Sequence, residues 1–205
     1  MVQLALAEGC REEGTGVTMC KDVLYSAEIT VLGIGNVILQ DEGFGVRVVE
    51  YLASHYDFPE NVQLVDGGTL GIELTQYVTG TQRLLVIDSI NGGAEAGALF
   101  RFEDEAVMEH FQDKLSAHEV GIQDVLALLS VTGRRIPKVV VIGAQPYELG
   151  AGVGLSSQME KLLPLMAERA VKELAAWGIV PREKAMHNRM DCSVVAEEFT
   201  NNIKY

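Results

Sequence analysis

The sequence predicts an α/β fold: a three-layer sandwich with a mostly parallel, twisted sheet of about five strands, one antiparallel edge strand, and helices on both faces. Two observations lead there. Short β-branched apolar runs alternate twice with stretches of helical period, and a strand-helix-strand unit forces parallel neighbours through a right-handed crossover. The connection after the third run, 88–98, is glycine-rich and too short for a helical crossover, so the chain must return antiparallel.

Taken in order, Ile29 to Leu32 is the first apolar β-branched run, and Gly43 to His55 follows with Phe44, Val48 and Leu52 at helical spacing. Val62 to Val65 is the second strand, Leu70 to Val78 the second helix, and Arg83 to Ile87 the third strand. Leu99 to Phe102 is the antiparallel edge. Ser116-Ala117-His118-Glu119 has capping-box spacing ahead of Val120, Val125, Leu128 and Leu129, which places His118 in the first turn of a helix. Lys138 to Ile142 is a last buried strand. Ser157 and Glu160 form a second capping box for a helix expected to run to Trp177, to kink at Pro164, and to stop at Gly178. The organisation is therefore a loosely held extension over 1–28, a folded domain over 29–178, and a peripheral tail over 179–205.

Composition sets the outer bounds. At 205 residues, with 48% apolar and 22% charged, the chain is sized for one domain with a substantial core. A formal charge of -13 repels a nucleic-acid backbone, so nucleic acid is not an expected partner. No apolar run reaches the roughly 18 residues of a membrane helix, and the first residues lack a basic segment followed by an unbroken apolar one. The three cysteines, Cys10, Cys20 and Cys192, fall in the terminal segments, which excludes a disulfide framework or thiol nucleophile in the body of the chain. A cytoplasmic, membrane-free protein is expected.

Parallel strands share one C-terminal edge, and open α/β sheets bind ligands there. Glu42 follows the first strand, Asp66 ends the second, and Asp88 ends the third. If the helix at His118 starts on the same edge, two carboxylates and an imidazole converge there. A Glu, Asp, His set offers hard oxygens and one borderline nitrogen, suited to a divalent first-row ion with coordination positions left open. The bland alternatives are acids acting as caps or helix-dipole partners and a solvated histidine. A dinucleotide site at Gly33-Ile34-Gly35 is disfavoured, because Ile38 stands where the third glycine belongs and Asp41 and Glu42 would oppose a pyrophosphate. Asp41, Asp66 and Asp88 offer material for a paired-carboxylate hydrolase, although spacing does not say which two meet. No Ser-based elbow is present in the body of the chain.

At these residues the chain resembles the endopeptidases that mature nickel-iron hydrogenases. The matching pieces are Leu32-Gly33-Ile34-Gly35-Asn36, Asp41-Glu42-Gly43-Phe44-Gly45-Val46-Arg47, Asp66-Gly67-Gly68-Thr69, Asp88, Ser116 to Gly121 with Asp124-Val125-Leu126, and Gly143 to Pro146, in family order from Ile29 to Gly178. The resemblance implies an aspartyl-type, metal-binding endopeptidase that removes the C-terminal extension of a hydrogenase large-subunit precursor, cutting after a basic residue, and so activates that enzyme. It implies that Glu42, Asp88 and His118 contact nickel, supplied by the precursor and replaceable at the site by other divalent ions. Nickel would either act on the scissile carbonyl as a Lewis acid, or supply bound hydroxide, or only position the peptide while Asp66 or Asp41 activates water. The expected working form is a monomer. A non-catalytic nickel chaperone or scaffold for hydrogenase assembly is the alternative.

Overall fold

The computed structural model describes residues 27–107 and 122–185. Within them, β1 (Ile29–Ile34) leads through a 3-10 turn (Gln40–Gly43) into α1 (Phe44–His55), then to β2 (Tyr56–Asp57) and β3 (Val62–Gly68). A second 3-10 turn (Gly71–Leu74) and α2 (Thr75–Val78) connect to β4 (Arg83–Ser89) and β5 (Leu99–Glu103). After the undescribed stretch come α3 (Ile122–Val131), β6 (Lys138–Ala144), α4 (Ser157–Glu160), α5 (Leu163–Ala176) and β7 (Arg182–Glu183).

The main sheet has five strands in the order β3-β1-β4-β6-β5, with only the β5–β6 pair antiparallel. The expected sandwich and its antiparallel edge are therefore present. Side-chain alternation splits the core into two layers. Ile29, Val31, Leu85, Ile87, Val140 and Ile142 pack under α1 and α5, whereas Leu32, Val65, Leu84, Val86, Val139 and Val141 pack under α2 and α3. β1 leads on to β3 on one side of the sheet and β4 to β5 and β6 on the other, so the connections after β1 and β4 diverge. The topological switch falls between these adjacent strands, and it opens a crevice at their C-terminal ends.

Several local expectations are revised. The segment 70–78 is a 3-10 turn followed by a single helical turn. The helix cap is Ser156, one residue before the expected Ser157: its side chain accepts from Met159 N at 3.2 Å. Pro164 does not kink a continuous helix. It stands in the first turn of α5, where its missing N–H has no helical partner to lose, and α4 ends before it. The stop at Gly178 is present as a Schellman motif: Gly178, at φ +86°, donates to Ala175 O, and Ile179 donates to Leu174 O. Beyond it the chain does not leave at once, because β7 pairs antiparallel with β2 in a separate two-residue ribbon. None of the described helices is long and apolar enough to cross a membrane.

The antiparallel edge is secured by charge. Arg101 on β5 forms a bidentate pair with Glu173 of α5, at 2.7 and 3.0 Å, and also reaches Glu103. Lys138 hydrogen-bonds Glu103 and Asp104. Hydrogen bonds from Lys138, then from Arg101, lower the Glu103 carboxyl pKa to about 2. A depressed carboxyl pKa stabilises the fold above the unfolded value and loses that contribution as pH falls through the folded one. Amide exchange along β5 is therefore expected to quicken, relative to β1 and β4, as pH is lowered from about 5 towards 2, and this difference should disappear in Glu103→Gln.

Candidate functional site

The switch crevice is shaped by two glycines. At Gly45 an added Cβ would stand 2.0 Å from Ile87 O and 2.4 Å from Ile34 O, so only glycine lets the first turn of α1 seat directly on the ends of β1 and β4. At Gly35, with φ +131°, an added Cβ would meet Glu42 O at 1.9 Å. Together they press the 3-10 turn that carries Asp41 and Glu42 against the sheet edge, where it packs on β4. The α1 N-terminus is thereby filled by protein, which leaves the dinucleotide alternative without a place for its pyrophosphate.

Asp41 points inward and is 0% exposed. Its carboxylate accepts from Tyr147 N at 3.0 Å, Glu148 N at 2.9 Å, Ser156 N at 2.7 Å and Ser156 Oγ at 2.9 Å. Four donors satisfy a carboxylate, and water reaches it only if that network is undone. The surroundings are those of a strut. They do not suit the expectation that Asp41 activates water.

Glu42, the next residue, is half-buried at the edge. Asp88 is also half-buried, at the end of β4, and its Oδ1 accepts from Ser89 N at 2.7 Å. By alternation from Val86 it lies on the α2/α3 face of the sheet. Asp66 is exposed, with Oδ1 accepting from Gly68 N at 3.0 Å. It pairs in register with Gly33, and Gly33 pairs with Ile87 on the other side. With β1 intervening, the backbones of Asp66 and Asp88 are separated by roughly 10 Å, two strand spacings. These two do not form a carboxylate dyad sharing a proton, because that requires direct contact.

His118 lies outside the described residues, as does its capping box. Among the described residues, no group of three or more His, Cys, Asp or Glu side chains is placed to hold a metal ion. The described part of the expected metal set is thus two acids, Glu42 on the turn after β1 and Asp88 at the end of β4.

Three polar side chains without an obvious sequence signal shape the surroundings. Gln145 Oε1 accepts from Gly92 N at 2.9 Å and Ala94 N at 3.2 Å, while its Nε2 donates to Asn91 Oδ1, fixing the loop that follows Asp88. Gln40 occupies a left-handed conformation, φ +49°, immediately before Asp41. Such a conformation strains a residue with a Cβ by about 1 to 2 kcal/mol. Among the described residues, Ser89 Oγ is the buried side-chain polar atom without a hydrogen-bond partner. All three features depend on distant partners or on exact loop placement, so no spacing rule points to them.

An α/β sheet with acids beside its switch crevice is a ligand-site architecture open to several chemistries, and the comparisons with known proteins make it specific. Residues 46–173 match the family model described as hydrogenase maturation protease, which spans more than half of the chain. The chain belongs to the hydrogenase maturation protease family and is a peptidase. It is 36% identical over 163 residues to the hydrogenase 2 maturation protease of Escherichia coli, covering 78% of this chain and 99% of that one. Over 155 residues it is 42% identical to the hydrogenase expression/formation protein HoxM of Cupriavidus necator, covering 75% and 77% of the two chains. The solved structure of the hydrogenase maturating endopeptidase HybD from E. coli superposes with a TM-score of 0.73 at 34% identity, over 76% of this chain and 97% of that one.

The Asp41 network yields a stability prediction. Asp41→Ala strands the N–H donors of Tyr147, Glu148 and Ser156 and the buried Ser156 hydroxyl, and should destabilise by about 3 kcal/mol, lowering Tm by roughly 6 to 12 °C. Asp41→Asn retains one acceptor oxygen and should lose less. Thermal melts followed by circular dichroism make the comparison, and a melt of Asp41→Ala unchanged from wild type contradicts the strut.

Proposed function

We propose that this protease removes the C-terminal extension of a hydrogenase large-subunit precursor by recognising nickel already inserted there, as the final step of that subunit's maturation. The observation that carries the reading is the placement of Glu42 on the turn after β1 and of Asp88 at the end of β4, the two strands that border the switch crevice, in a chain of the hydrogenase maturation protease family. The nickel belongs to the substrate. Glu42, Asp88 and His118 are its contacts on the protease side, two anionic oxygens and an imidazole leaving positions open for the precursor's own ligands. Other divalent ions of similar preference can take the same donors.

Nickel so held fixes the peptide in one orientation and can polarise the scissile carbonyl. Asp66 is proposed as the carboxylate that activates water, because it is solvent-exposed at the same sheet edge while Asp41 is fully engaged in holding the loop at 147–156. The proposed compartment is the cytoplasm, a reading supported by cysteines confined to the terminal segments, and the proposed working form is a monomer. The chaperone alternative predicts a precursor of unchanged length and loses its ground once the family is known to be one of proteases.

Incubation of the protein with nickel-loaded and nickel-free precursor, followed by gel mobility, is the direct test. Shortening is expected only with nickel. Glu42→Gln and Asp88→Asn should each slow cleavage on the order of 100-fold or more, and should weaken capture of the nickel-loaded precursor. Equal cutting of the nickel-free precursor contradicts nickel recognition. A variant that captures normally yet does not cut assigns that side chain to chemistry in place of recognition.

A further inference from the structure

The loops that flank Glu42 display apolar side chains at an unusual place. Ile38 is 60% exposed, Leu149 54% and Val153 84%, and Tyr147 is also exposed. Ile38 lies on the loop after β1, and the others on the loop after β6, both at the C-terminal edge of the sheet.

These two loops are zipped together. Gly152 N donates to Ile38 O at 3.0 Å, Gln40 N to Gly152 O at 3.1 Å, and Asp41 N to Glu148 O at 3.2 Å. The Gln40 amide bridges the same loops, donating to Glu148 Oε2 at 3.2 Å and accepting from Gly150 N at 3.1 Å. Leu39 and Gly152 pair as an isolated parallel bridge. With Asp41 beneath and a left-handed Gln40 within, the ridge is held rigid against both strain and the unfavourable exposure of its branched side chains.

We propose that Ile38, Leu149 and Val153 form a rigid docking ridge for an apolar segment of the precursor polypeptide next to the bond that is cut. This rests on the reading that Glu42 contacts the nickel-bearing precursor. Ile38 stands two residues before the 3-10 turn that carries Glu42, so the ridge borders the surface on which a substrate peptide is proposed to lie. A second copy of this chain seated on the ridge would cover that turn and obstruct the site. The occupant we assign is the substrate, because the ridge borders the turn that carries Glu42. Rigidity matters because a preformed apolar surface avoids the ordering of loops on binding, and the peptide is held in register with the metal-contacting residues.

The test uses the full chain and nickel-loaded precursor. Ile38→Ser with Val153→Ser alters only exposed side chains, so the melting temperature should stay that of wild type. KM should rise about tenfold with kcat within about twofold, and direct binding of uncut precursor to immobilised protein should weaken by a similar factor. Unchanged KM and unchanged binding overturn the ridge while leaving the cleavage reading intact. If wild type does not cut but its precursor binding weakens tenfold in the double variant, the ridge stands and the cleavage reading falls. A mass by light scattering that doubles with concentration in wild type, and not in the variant, overturns the ridge as a substrate surface and makes it a self-association face.

Discussion

The buried carboxylate of Asp41 is the constraint on which the active edge depends. A charge taken fully out of water is tolerated only if donors replace its hydration, and here donors arrive from Tyr147, Glu148 and Ser156, over a hundred residues further along the chain. One side chain thus joins the turn after β1 to the loop after β6 and to the cap of α4. Ser156 extends the effect, because the hydroxyl that donates to Asp41 also accepts from Met159 N at the start of that helix.

The sheet supplies the rest. Its switch between β1 and β4 opens a crevice whatever the side chains are, and Gly35 and Gly45 then determine how deeply the α1 N-terminus and its preceding turn settle into the edge. Acids ahead of a helix start are favoured by its dipole, so the same arrangement that excludes a phosphate makes room for negative charge beside the crevice. Core packing on both faces holds the strand ends still; loops alone could not place groups to the tolerance that chemistry needs.

The fold was legible because its signals are local or periodic. The β-branched runs of β1, β4 and β6 are buried on both faces and read as unbroken apolar stretches, α1 repeats its apolar residues at helical spacing, and Gly178 stops α5 where a left-handed residue is required. Asp66 and Asp88 were legible as strand-end acids, and Glu42 as an acid on the turn after the first strand, for the same reason. What escaped depends on distant partners. The β2–β7 ribbon is only two residues on each side, too short to show a period, and the role of Asp41 is set by donors whose approach no spacing reveals. Ser156 and Ser157 are chemically equivalent as caps, and the choice between them is made by Asp41. The helix break before Pro164 is likewise decided by where two rigid pieces must pack.

Asp41 and Glu42 show how neighbouring residues of like charge are given opposite tasks. In a 3-10 turn successive side chains leave the axis about 120° apart, so one can face the core while the next faces the edge. Asp41 takes the inward position, and its charge is stabilised by hydrogen bonds alone. Glu42 takes the next position on the turn, which packs beside β4, and is half-buried there. The two roles are not interchangeable. A glutamate at 41 would push one methylene into a fully buried, hydrogen-bonded cage, whereas an aspartate at 42 would draw its oxygens back from the crevice by the same length. The acid pair is therefore read correctly only as a pair, one residue fixing the turn and the other using the position so fixed.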